Sequence, residues 1–140
     1  MLFQIIYVSR ASSSLPLELK DILASSRRNN PALGVTGAMA FLDGLYLQCL
    51  EGEESVVTAL YQRISQDSRH SAPKILKVKQ ISERAFHGWS MGLLTWNDET
   101  KKIFQKFNPS GSLDLYDADA ATIDSLVGSL RASANWMALS

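Results

Sequence analysis

Gln48 stands in an otherwise apolar run, Leu45-Tyr46-Leu47-Gln48-Cys49-Leu50. An amide buried in a strand needs partners, because leaving its polar groups unpaired costs about 1–3 kcal/mol each. It carries an acceptor at one end and a donor at the other, so it can bridge two different groups. Tyr7 offers a phenol inside a second apolar run, Leu2-Phe3-Gln4-Ile5-Ile6-Tyr7-Val8-Ser9. Asn30 adds an amide at the end of an expected helix, and Asp67-Ser68-Arg69-His70 adds charge at the end of another. A gap between two parallel helices, with a Tyr and a Gln on its floor, is a slot for a flat heteroaromatic ring. Each residue also has an ordinary structural reading. Gln48 suits a satisfied core or edge position, Tyr7 a strand aromatic, and Asn30 before Pro31 a helix stop. Arg69 and His70 suit a solvated helix end, and Trp89 and Met91 suit core filling.

The elements that must position these groups follow from periodicity. Residues 2–9 alternate as a strand, with Phe3, Ile5 and Tyr7 on one face. Ser14 and Pro16 open a helix whose stripe is Leu19, Ile22, Leu23 and Ser26. Arg27 and Arg28 suit its C-terminal dipole, and Asn29-Asn30-Pro31 is expected to end it. Residues 35–42 and 45–50 read as strands joined by the hairpin signal Asp43-Gly44, with Gly52 as a breaker. Tyr46, Gln48 and Leu50 then share one face, and Cys49 points to the other. A second helix is expected over residues 54–67, with Val57, Leu60, Tyr61 and Ile64 as its stripe. Pro73 interrupts, and strands follow at 75–82 and 89–95, the last placing Trp89, Met91 and Leu93 on one face. The order β-α-β-β-α-β-β predicts an α+β, ferredoxin-like sandwich with both helices on one face of the sheet. Helices expected at 99–107 and 118–134, the latter striped by Ile123, Leu126, Val127 and Leu130, can cover the opposite face. Residues 1–96 are thus expected to form the main domain and 97–140 a helical extension of it.

Composition narrows the function. A chain of 140 residues with 46% apolar content can bury a core as one domain. Fourteen basic residues balance fourteen acidic ones, which argues against nucleic acid or an anionic membrane as the main partner. The single cysteine, Cys49, permits no disulfide within the chain and suits a reducing compartment. The N-terminus lacks a basic leader pattern, so a cytoplasmic location is expected.

The polar residues fall within an ordered series of motifs. These are Ile5-Ile6-Tyr7-Val8-Ser9, Ser25-Ser26-Arg27-Arg28-Asn29-Asn30-Pro31, Gly34-Val35-Thr36-Gly37, Leu47-Gln48-Cys49-Leu50-Glu51-Gly52, Asp67-Ser68-Arg69-His70 and Trp89-Ser90-Met91. The series resembles the BLUF family, blue-light sensors that use FAD, and the remainder to Ser140 resembles the helical tail of its short, single-domain members. The resemblance implies a non-enzymatic photoreceptor with one noncovalent FAD between the two helices. It makes Tyr7 the photo-reducing tyrosine and Gln48 the amide bridging that tyrosine and the flavin edge. It sets Asn30 on the flavin carbonyl and N3 edge, and Arg69 near the O2 side with Asp67 and His70 in the same motif. Ile22 and Ser26 line the ring, and Trp89 and Met91 relay the signal. Blue light then drives an electron from Tyr7 to the flavin, coupled to proton movement through Gln48, and leaves a changed hydrogen-bond pattern. No fused output domain is expected, so the signal passes to a downstream partner or through self-association, and a homo-oligomer is expected.

Other readings stay open on the residues alone. An acylphosphatase-type enzyme on this fold needs a Gly-rich anion cradle beside an arginine. Arg10 is present, but Ala11-Ser12-Ser13-Ser14 has no glycine. A protein-interaction module without a cofactor is the other alternative. FAD and FMN are not separated either, since no fingerprint such as G-x-G-x-x-G is present. No metal site is expected.

Overall fold

The alternating N-terminal run forms β1 (Leu2–Ala11), flanked on both sides within one six-stranded sheet. The computed structural model describes residues 1–11, 17–42, 45–66, 70–86, 89, 91–94, 98–106, 116, 118–132 and 136–139. At 11, 17–23, 41–42, 70, 101, 104 and 136–139 it describes the backbone only. After β1 come α1 (Leu17–Leu33), β2 (Thr36–Leu42), β3 (Leu45–Glu53), α2 (Glu54–Ser65), β4 (His70–Gln80) and β5 (Met91–Leu94). α3 (Asp98–Lys106), α4 (Ala120–Arg131) and β6 (Trp136–Leu139) complete the order. The sheet runs β4-β1-β3-β2-β5-β6. Its first four strands are antiparallel neighbours, the ferredoxin-like arrangement expected from the sequence. β5 joins β2 in parallel, with Ala38 opposite Gly92 and Met39 opposite Leu93. β6, which periodicity did not reveal, pairs antiparallel with β5.

Strand alternation divides the core in two. On one face Ile6, Val8, Ala38, Ala40, Leu47 and Cys49 pack against Ile123, Leu126 and Leu130 of α4. On the other, Ile5, Tyr7, Met39, Tyr46 and Leu50 pack against Val57 and Leu60 of α2, with Leu33 of α1 alongside. Each fully buried large apolar side chain stabilises the fold by about 1.5–3 kcal/mol relative to exposure. The C-terminal cover of the far face is therefore as the α4 stripe predicts. Asp119 caps α4, its side chain accepting from the Thr122 amide at 2.7 Å.

α1 does not stop at Asn30. It continues through Pro31 to Leu33, and Gly34 ends it at φ +68°. The Gly34 amide donates to the Pro31 carbonyl at 3.2 Å and the Val35 amide to the Asn30 carbonyl at 3.0 Å. These two bonds make a Schellman cap, which needs a residue in the left-handed region. Pro31 in the last turn forfeits one helical hydrogen bond, and the cap offsets part of that loss. No heavy atom of the described residues lies within 4 Å of a Cβ built at Gly34. Gly34→Ala is thus expected to cost only the left-handed conformation, about 1–2 kcal/mol in urea unfolding. A stability equal to wild type would contradict that role for the cap.

Other boundaries also differ from expectation. α2 ends at Ser65, and His70 opens β4 instead of closing a helix. Pro73 lies within β4, tolerated because β4 is an edge strand. Gly52 does not end β3. It sits opposite Phe3, where an added Cβ would be 3.2 Å from both Gly34 O and Val57 Cγ1, so α2 packs close only because the residue is glycine. The Asp43-Gly44 turn lies outside the described residues, although Leu42 and Leu45 face each other across the ladder. Among the described residues, no helix is long and apolar enough to cross a membrane.

Candidate functional site

Register brings the two chemistry-bearing strands together. Tyr7 of β1 lies directly opposite Gln48 of β3, which in turn lies opposite Met39 of β2. The Tyr7 hydroxyl donates to Gln48 Oε1 at 2.5 Å, with both residues buried. Tyr7 also meets the Tyr61 ring of α2 edge-on, centroids 5.0 Å apart. Burial pushes the Tyr7 phenol well above its ordinary pKa, and Tyr61 and Cys49 add to the effect. The phenol therefore stays protonated at neutral pH, as a donor to the amide. If the amide turned over, its NH2 would face the phenol oxygen, which would then accept. Donor and acceptor roles can thus exchange between the two residues.

Asn30 is buried at the end of α1, on the same side of the sheet. Its backbone carbonyl is committed to the helix cap, which sets where its side-chain amide starts. Ser26, one turn earlier, is half-buried. Arg27 is not in the last turn of α1, as its expected dipole role requires. Its Nε instead donates to the Met91 carbonyl at 3.4 Å, tying α1 to β5.

Met91 belongs to the same cluster as Tyr7, with Leu93 packed against it. Trp89 does not share that face. It packs into the far-side cluster, its ring centroid 5.5 Å from that of Phe86. The reason is that β5 starts only at Met91, so the period of two does not reach back to Trp89. An added Cβ on Gly92 would lie 2.4 Å from Trp89 Cε3, so the indole occupies the space over that glycine. Asp67 and Arg69 lie outside the described residues, as do the side chains of Ile22 and His70. Cys49 faces the α4 side as expected, and burial and the neighbouring Glu51 push its thiol pKa well up. Among the described residues, no cluster of His, Cys, Asp and Glu is placed to hold a metal ion.

One buried group escaped the sequence reading. Glu51 is fully buried and accepts from Gln4 Nε2 at 2.8 Å, the Ala85 amide at 3.0 Å and the Phe86 amide at 2.9 Å. Arg84 beside it donates to Thr36 Oγ1 at 2.9 Å, Glu51 O at 2.9 Å and Gly34 O at 2.8 Å. The only local signal is a carboxylate at an inward-facing position of β3. Nothing near it in sequence pointed to residues 84–86.

Comparison with known proteins bears on the family and the fold. Residues 2–92 match the family model described as "BLUF: Sensors of blue-light using FAD". The photoactivated adenylate cyclase subunit beta of Euglena longa is 34% identical over 105 residues, covering 74% of this chain and 12% of that protein. The chain thus spans only a small part of that relative. Among solved structures, the photo-activated state of BlsA superposes with a TM-score of 0.86 at 27% identity, covering 96% of this chain and 98% of BlsA. The dark state of BlrB, a BLUF protein, gives 0.71 at 27% identity, covering 91% and 96%.

Proposed function

This chain belongs to the BLUF family, the sensors of blue-light using FAD, and from that premise we propose that its buried Tyr7–Gln48 pair is the switch of a photoreceptor holding one noncovalent FAD. The observation that carries the reading is the 2.5 Å bond from the Tyr7 hydroxyl to Gln48 Oε1, buried at the middle of the sheet beneath α1 and α2. The donor set suits a flavin edge, with two buried amides, Gln48 and Asn30, and an adjacent phenol. Tyr7, Gln48, Asn30 and Ser26 would hold the ring, and the family pattern adds Ile22, Asp67, Arg69 and His70. When bound, the flavin supplies blue-light absorption and a reducible ring. Tyr7 holds its proton on the hydroxyl and can release it along the bond to Gln48. The amide can exchange which end faces Tyr7. A polar network with two satisfied arrangements is a bistable element.

Met91 shares a cluster with Tyr7 and Trp89 packs on the far face, which supports a reading in which β5 registers the exchange and Trp89 follows it. No substrate is consumed in this scheme, which describes a cytoplasmic sensor and not an enzyme. Residues 97–140 act as an extension of the same domain, passing the change to a downstream partner or to self-association. The relative from Euglena longa is by name a cyclase subunit.

Absorption spectra in the dark and after blue light test the proposal. A yellow protein whose flavin band shifts reversibly to the red is expected, releasing FAD and not FMN on denaturation. A colourless preparation that FAD does not reconstitute would overturn it. Cys49→Ala is expected to leave the photocycle unchanged, because Cys49 lies on the α4 side of the sheet, away from Tyr7 and Gln48. Its stability loss should be about 1 kcal/mol, ordinary for a small buried truncation. A blue band that bleaches in the native protein and not in this variant would mean thiol chemistry instead.

A further inference from the structure

We propose that the buried Glu51 carboxylate is a positioning residue for the switch, fixing residues 84–86 as the anchor from which β5 approaches Gln48. The proposal rests on the photoreceptor reading above. Glu51 and Gln48 lie on the same strand, but Glu51 points to the far face, so it does not touch the Tyr7–Gln48 pair. Its oxygens divide the work: Oε1 accepts from the Phe86 amide, and Oε2 from Ala85 and from Gln4. Charged acceptors bind backbone amides more strongly than neutral ones do. Arg84 bonds the same segment to Thr36 and to the Gly34 and Glu51 carbonyls.

From this anchor the chain reaches β5 in short steps. The Trp89 amide donates to the Phe86 carbonyl at 3.2 Å, and the Gly37 amide donates to the Trp89 carbonyl at 3.0 Å. The Trp89 ring then fills the space over Gly92, and Met91 enters the Tyr7 cluster. Any rearrangement of Trp89 must move against Phe86, which Glu51 holds, and Met91 lies two residues further along the same chain. A rigid neighbour raises the barrier in both directions, so the anchor slows return from the lit arrangement.

Glu51→Gln keeps the shape, replaces one acceptor oxygen with an NH2 donor and leaves the other oxygen neutral. Its NH2 end must face a backbone N–H or the Gln4 amide, so one grip is lost whichever way it turns. Flavin binding and the amplitude of the red shift are expected to match wild type, because Tyr7 and Gln48 are untouched. Dark recovery should be about tenfold faster, and amide exchange in the peptide containing residues 84–86 should rise. Arg84→Met, which removes the neighbouring grip, should change recovery in the same direction and serves if Glu51→Gln does not fold. Asp119→Ala is the control: it removes the α4 cap and lowers stability but should leave recovery unchanged. Recovery within about twofold of wild type in folded Glu51→Gln, or an equal acceleration in Asp119→Ala, would overturn the positioning role. A wild-type protein without a photocycle would instead overturn the photoreceptor reading, and the two failures are distinct.

Discussion

Tyr7→Phe is expected to give a protein that still binds flavin and forms no reversible photoproduct. The substitution removes one oxygen. The ring keeps its place against Tyr61, 5.0 Å away, and within the cluster of Ile5, Met39 and Leu50. What disappears is the donor to Gln48 Oε1 at 2.5 Å, leaving a buried amide oxygen short of a partner at a cost of about 1–3 kcal/mol. Stability thus falls modestly, while the phenol proposed as proton and electron source is gone. The pH dependence of the native protein checks the same group. Burial raises the Tyr7 pKa above its ordinary 10.0, so the signal amplitude should not fall through titration of this phenol at neutral or mildly alkaline pH. Stability follows the same sign. It is unaffected by this group below the unfolded-state pKa and declines as pH rises above it, because the unfolded tyrosine ionises first. A normal photocycle in the Phe variant would remove Tyr7 from the mechanism.

Gln48→Leu is the second large effect. Leucine approximates the bulk of glutamine and has neither polar end. The variant should remain yellow, since Asn30 on α1 is buried on the same side and its anchoring by the helix cap is unchanged. The Tyr7 hydroxyl then loses its acceptor, and no group remains that can exchange donor for acceptor by turning over. The reversible red shift is expected to vanish, measured as the dark-minus-light difference spectrum. A variant that kept the shift would refute the amide switch while leaving the family assignment intact.

Much of this site was legible in the chain because its key relation is local to strand geometry. Alternation placed Tyr7 with Ile5 and Gln48 with Leu50, and the ferredoxin-like order made their strands neighbours. What the sequence concealed depended on partners distant along the chain. Pro31 looked like a stop, but a proline in a final turn loses one bond, and Gly34 three residues on was the effective signal. A period of two holds only within a strand, and β5 begins two residues after Trp89. β6 exists because β5 offers an edge, which no feature of Trp136–Leu139 announces. Glu51 finds its amides at Ala85 and Phe86, across a connection that carries no periodicity.

The β2–β5 seam has a mechanical meaning. β1, β2, β3 and β4 are joined along most of their lengths, whereas β5 meets β2 at Ala38–Gly92 and Met39–Leu93. The β2–β5 ladder is therefore the shortest seam among the first five strands, and it is reinforced by the Gly37 amide on the Trp89 carbonyl and by Arg27 Nε on the Met91 carbonyl. From Gln48 the direct route to that seam runs through one residue of β2. Met39 sits there, flanked by Gln48 on one side and Leu93 on the other. On the photoreceptor reading, a change of the Gln48 amide would reach β5 through Met39, across the shortest ladder between the central strands and the edge pair.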